Sequence, residues 1–76
     1  MRLYMYTIYC YPAGRRGRYV VRRFDCTNRT PEPIPDPEPW WVGGDLDGAR
    51  ASLPEEVIVR FPRDPWDAPA IVETWA

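Results

Sequence analysis

The first apolar stretch, RLYMYTIYCY from Arg2 to Tyr11, places apolar or aromatic side chains on both of its alternating faces. Leu3, Met5, Tyr9 and Tyr11 fall on one, and Tyr4, Tyr6, Ile8 and Cys10 on the other. A run rich in aromatic and branched residues and free of glycine and proline predicts a strand, and one apolar on both sides is expected at the centre of a sheet. Pro12 ends the run, Gly14 and Gly17 supply backbone freedom for a turn, and Arg18 to Cys26 returns as a second strand. In it Val20, Phe24 and Cys26 alternate with Tyr19, Val21, Arg23 and Asp25, and Arg18 and Arg22 share the face of Val20. The pattern predicts a hairpin and leaves its register open.

Alternation stops at Thr30, where TPEPIPDPEP sets proline at every second position from 31 to 39. Proline fixes φ, biases the preceding residue toward extended conformations and removes an amide donor, so a polyproline II crossover about 28 Å long is expected, barred from a sheet interior. It serves either as a connector around the domain or as an arm offered to a partner. Trp40, Trp41 and Val42 suit a short extended piece, with the two indoles pointing in opposite directions. Asp45 then reads as the N-cap of a short helix with Leu46, Ala49 and Leu53 at helical spacing and Pro54 as its stop. Gly48 weakens such a helix by about 1 kcal/mol relative to alanine, so tertiary contacts must hold it.

Alternation resumes in EVIVRF, Glu56 to Phe61, with Val57, Val59 and Phe61 opposite in phase to Glu56, Ile58 and Arg60. Pro62, Pro65 and Pro69 bracket a loop that holds Arg63, Asp64, Trp66 and Asp67. Ala70 to Trp75 forms the last predicted strand, with Ile71, Glu73 and Trp75 on one face and Val72 and Thr74 on the other. The order ββαββ implies a small single α+β domain over residues 1–76: a basic hairpin at 1–30, the proline-rich crossover at 31–39, and an acidic helix plus hairpin at 40–76. The two hairpins are expected to form one antiparallel sheet of four to five strands, the fifth near Trp40. A chain of 76 residues buries only about 60% of its extended-chain surface, so the core is small and homodimerisation through an edge strand or a tyrosine face is plausible.

Charge sharpens this division. Residues 1–30 hold seven arginines against one acid, and residues 31–76 hold three arginines against ten acids, so the net charge of −1 conceals a +6 part and a −7 part. Histidine and lysine are absent and Ser52 is the single serine. A nucleophile beside a base, the minimum for acyl transfer, has no obvious source here. DLDG at Asp45 starts like a calcium loop, but Ala49 and Arg50 stand where that loop needs a ligand and a glycine. Cys10 and Cys26 are too few and too widely spaced for a zinc knuckle. A hairpin turning near Arg15 and Arg16 sets Cys10 opposite Val20 or Val21 and Cys26 opposite Tyr4 or Met5. That leaves the thiols roughly 17–20 Å apart, against the 7 Å or less between Cα atoms that a disulfide requires. The expectation is a cytoplasmic, non-enzymatic chain with no cofactor, no metal and no membrane contact, since no long apolar run or secretory pattern is present.

Binding is the chemistry these residues favour. Arg15, Arg16, Arg18, Arg22 and Arg23, with Tyr9 and Tyr11 beside them, can grip an acidic protein or a nucleic acid, or can be neutralised by the acidic part of the same chain. Trp40, Trp41 and Trp66 are too many large rings for so small an interior and complete the expected partner-binding set. The reading is a protein-binding module, a small bacterial or phage inhibitor or adaptor that occludes a larger complex, one concrete form being a nucleic-acid-handling complex of the CRISPR type, as an anti-CRISPR protein does. The alternative is a nucleic-acid-binding regulator or antitoxin acting through the arginine-rich hairpin.

Overall fold

Strands β1 (Tyr4–Tyr11) and β2 (Arg18–Asp25) pair antiparallel in one unbroken register from Tyr4 opposite Asp25 to Tyr11 opposite Arg18. The computed structural model of the chain describes residues 3–11, 18–27 and 32–76, so the turn between these strands, with Arg15 and Arg16, lies outside the described residues. Cys10 stands opposite Tyr19, and Cys26 follows the last pair, a register one residue away from the one expected. Both thiols are free.

The C-terminal strand β6 (Ile71–Trp75) pairs antiparallel with β1 on its other side, and β5 (Arg60–Pro62) pairs with β6. With β3 (Ile34–Pro35) beyond β2, the strand order is β3-β2-β1-β6-β5, which places β1 at the centre as its composition requires. The outer edge of β2 is shared by two short pieces, β3 (Ile34–Pro35) against Phe24 and Asp25, and β4 (Trp41–Gly43) against Tyr19 to Val21. Six strands thus replace the four or five expected.

The extra strand comes from the proline-rich segment, and its placement follows from which amides survive there. Asp36 N–H donates to the Arg23 carbonyl at 2.9 Å and Trp40 N–H to the Val21 carbonyl at 2.8 Å, both from non-proline positions. Pro37 and Pro39 lie between them without a donor, and there the chain bends away from β2. The segment is not one straight polyproline rod; it is an interrupted sheet edge, a position that tolerates proline.

Helix α1 (Leu46–Ala51) begins at Asp45, whose side chain accepts from Gly48 N–H, and ends at Ser52. It lies on one face of the sheet and buries Ala49 against Tyr6, Ile8 and Val21. Trp41, Leu53, Val57, Val72 and Trp75 pack around this cluster. Gly48 earns its place sterically: a Cβ there would come within 2.9 Å of the Trp41 indole, and one at Gly43 within 2.1 Å. The two glycines let the indole slide under the helix, which compensates the poor helix propensity of position 48.

The last hairpin departs from simple alternation twice. A bulge between Ile8 and Tyr9 sets Glu73 opposite Ile8 but Ile71, not Val72, opposite Tyr9. Ile71 and Val72 therefore exchange the faces expected of them, and Val72 joins the core. The strand expected over Glu56–Phe61 starts only at Arg60, because Val57 N–H bonds back to the Pro54 carbonyl in a turn. Val57 thereby reaches the helix-side core, out of phase with Phe61, which stands opposite Thr74 on the other face.

Candidate functional site

Cross-strand partners share a face, so the register sorts the sheet into two sides. Tyr4, Tyr6, Ile8 and Cys10 of β1 share the helix side with Asp25, Arg23, Val21 and Tyr19 of β2. Met5, Thr7, Tyr9 and Tyr11 share the other side with Phe24, Arg22, Val20 and Arg18. Among the described residues the one helix lies on the first side, and no element packs across the second. β1 is central, yet only one of its two apolar faces is covered.

The open face is apolar across its middle and aromatic at one end. Val42 on β4 stands opposite Val20, Phe61 on β5 opposite Thr74, and Ile71 on β6 opposite Tyr9. Phe61 is 50% exposed and Tyr11 45%. Tyr9 and Tyr11 stack with ring centroids 5.6 Å apart and an interplanar angle of 15°. Partial burial raises the Tyr9 phenol pKa above its ordinary value, with Tyr11 adding to the rise and the nearby Arg22 charge opposing it. Thr7, between these side chains, is buried, and its hydroxyl lies 3.4 Å from that of Thr74.

Arg18 and Arg22 are the charged residues on this face. Arg18 is exposed and, among the described residues, has no carboxylate partner. Arg22 donates one bond to the Asp36 backbone carbonyl at 3.1 Å, which leaves most of its guanidinium donors unused. Arg23, one residue on, points to the helix side and is occupied there. It pairs with Asp36 at 2.8 Å, and its guanidinium carbon lies 4.3 Å from the Tyr4 ring centre and 5.4 Å from that of Trp40. Asp36 raises the Arg23 pKa and so holds the charge in place. Internal neutralisation thus accounts for Arg23 and not for Arg18.

The tryptophans divide in the same way. Trp41 is half-buried in the core. Trp40 sits at a bend just before β4, so the expected opposite orientation of the two indoles does not hold. It meets Tyr6 edge-on at 5.3 Å, and its indole N–H donates to the Ser52 carbonyl at 2.9 Å. Both indoles thus serve the helix side. Trp66, by contrast, is 93% exposed.

Trp66 is held out by a built turn. Asp64 Oδ1 accepts from Trp66 N–H at 2.9 Å, Asp67 Oδ2 accepts from Asp64 N–H at 2.9 Å, and the Asp64 carbonyl accepts from Asp67 N–H at 2.9 Å. Asp64 and Asp67 are turn-forming residues, as their proline-framed setting predicts, and they fix the backbone on both sides of the exposed indole. The turn leads into β6, and Cys10 N–H donates to the Ala70 carbonyl at 2.8 Å, so the turn stands at the Tyr9–Tyr11 end of the sheet; Asp67 adds a small upward push to the Tyr9 phenol pKa.

Of the ten residues singled out from sequence, Tyr9, Tyr11, Arg18 and Arg22 come together on the open face with Trp66 at its end. Arg23, Trp40 and Trp41 belong to the covered side, and Arg15 and Arg16 lie outside the described residues. Sequence reasoning missed Phe24, Val42 and Phe61, which extend the open face. The signal was the second apolar face of β1, which must meet something. Among the described residues no group of three or more histidine, cysteine or acidic side chains is placed to hold a metal ion, and no helix is long and apolar enough to cross a membrane. No protein-family model matches the chain, and neither a curated protein nor a solved structure matches it.

Proposed function

We propose that this chain is a non-enzymatic protein-binding module, an inhibitor or adaptor that works by covering part of a larger partner, and that its contact surface is the open sheet face with Trp66 beside it. The observation that carries this reading is an uncovered face, bare among the described residues, that carries Tyr9, Tyr11, Phe61 and Val42 together with two arginines on β2. Tyrosine, tryptophan and arginine are the residue types that anchor interface centres, and a contiguous apolar patch in water is costly unless something covers it. The narrower form, occlusion of a nucleic-acid-handling complex of the CRISPR type, rests on chain length and charge sorting alone. The test is a matched capture from the source cell with the natural chain and with a Tyr11→Ala/Trp66→Ala variant. A partner retained stoichiometrically by the first and lost by the second supports the reading; equal retention by both, or no stoichiometric partner, contradicts it.

A second reading rests on the Tyr9–Tyr11 stack between Arg18 and Arg22. Aromatic rings and guanidinium groups on an open antiparallel sheet can stack bases and hold phosphates of a single strand. Titration with a labelled single-stranded oligonucleotide tests it, and affinity must fall steeply with salt.

A further inference from the structure

The open face differs from the rest of the surface in the sign of its charge. Every charged strand position that points to it is an arginine, Arg18 or Arg22, and none of the strand positions paired across it is an acid. Glu73 is buried under the helix, Asp36 holds Arg23 and Asp45 caps α1; Asp64 and Asp67 lie at the Tyr9–Tyr11 end of the open face, each with a carboxylate oxygen bonded to a backbone N–H of the turn. A partner for this face therefore needs two properties at once, an apolar centre and negative charge opposite β2.

Three occupants can be weighed against those requirements. A second copy of the chain, meeting face to face about a two-fold axis, would set two arginines of each copy against a surface that offers no strand carboxylate in return. A nucleic-acid strand would satisfy Arg18, Arg22 and the tyrosine pair, but Met5, Val20, Val42 and Ile71 give it neither a stacking platform nor a phosphate ligand. A protein surface with apolar side chains bordered by aspartate or glutamate satisfies both parts, because carboxylates accept the planar guanidinium fork in bidentate geometry.

We infer that the open face docks an acidic protein surface, with carboxylates on Arg18 and Arg22 and apolar side chains over Val20, Val42 and Phe61. The inference rests on the protein-binding reading and names the chemistry of the partner.

The experiment uses three probes with the full chain at low ionic strength: an amphipathic 18-residue peptide of leucine and glutamate, its leucine and lysine counterpart, and a 20-nucleotide oligothymidine. Binding is read by NMR shift changes at Val20, Val42 and Tyr11, and self-association by sedimentation. The expected result is saturable shifts with the acidic peptide alone, weakened about tenfold or more in Arg18→Glu/Arg22→Glu and weakened by added salt. Should that double variant lose its fold by circular dichroism, Arg18→Gln alone carries the comparison, because Arg18 is exposed. Equal shifts with the basic peptide, or a dimer that closes the face, overturn the acidic-partner inference and leave a protein-binding module standing. Tighter binding of oligothymidine at the same residues overturns both. Absence of any shift with all three probes at millimolar concentration overturns the inference alone, since the matched capture tests the broader reading independently.

Discussion

The two faces of the sheet are made from the same two strands and have opposite fates. Tyr6, Ile8 and Val21 meet Ala49 of the helix and form the buried core, whereas Tyr9 and Val20, immediate neighbours of Ile8 and Val21 in sequence, face outward with Tyr11. The difference lies in what the rest of the chain supplies. One helix of six residues covers one side of a six-strand sheet, and among the described residues nothing comparable lies on the other. The covered face holds the fold together; the open one is the contact surface of the proposed binding function.

The largest expected contrast is in stability. Ile8 and Val21 are fully buried, so Ile8→Ala should cost roughly 2–5 kcal/mol by lost burial and cavity formation. That is a large fraction of the roughly 4–11 kcal/mol that a chain of this length has in total. Denaturant unfolding of Ile8→Ala beside Tyr11→Ala checks the contrast: the open-face variant should shift stability by no more than about 1 kcal/mol. Equal losses from the two would mean that both faces are packed.

A second way to sharpen the comparison targets the seam between β4 and the helix. Gly43→Ala forces a methyl into the Trp41 ring, which Gly48 and the core hold from the other side. Overpacking of this kind costs roughly 1–3 kcal/mol, and thermal unfolding measures it. Ala51→Gly, at an exposed helix position, is the control for local helix propensity.

A third contrast is electrostatic. Glu73 is 2% exposed and accepts from Arg50 Nη2 at 2.7 Å and Nε at 3.1 Å, with the Trp75 indole N–H as a further donor. The Arg50 bond holds its carboxyl below the ordinary value of 4.5, against the upward push of burial. With the folded-state value below the unfolded one, the unfolded chain binds more protons in that window. The stabilisation is complete above the unfolded pKa and is lost as pH falls through the folded value. Glu73→Gln should be less stable than the natural chain at pH 7, and the gap should narrow on acidification below about pH 4. Chemical unfolding at the two pH values decides it. On the open face, Arg18→Gln should leave the acid limb unchanged, the smallest effect expected.

Much of this was legible in the chain. The β1–β2 hairpin follows from aromatic and branched residues flanking a Pro/Gly turn, and α1 follows from Asp45 as cap and Pro54 as stop. Arg18, Val20 and Arg22 share a face as alternation requires. What escaped is set by tertiary partners. The bulge that exchanges Ile71 and Val72 depends on how β6 meets β1, and no local preference encodes it. The two-residue strand at Ile34–Pro35 depends on Asp36 and Trp40 finding carbonyls of β2. Glu73 offered a weak signal, a carboxylate between Ile71 and Trp75 in an apolar strand, which requires a cationic partner when buried; Arg50, itself exposed, could not be named without the fold.

The central claim, one closed face and one open, is tested most directly by solvent paramagnetic relaxation with a soluble gadolinium chelate. The account predicts strong enhancement at the side chains of Tyr11, Val20, Val42 and Phe61 together with protection of Ile8, Val21 and Ala49. Protection of both sets would contradict it, because the second face would then already be covered.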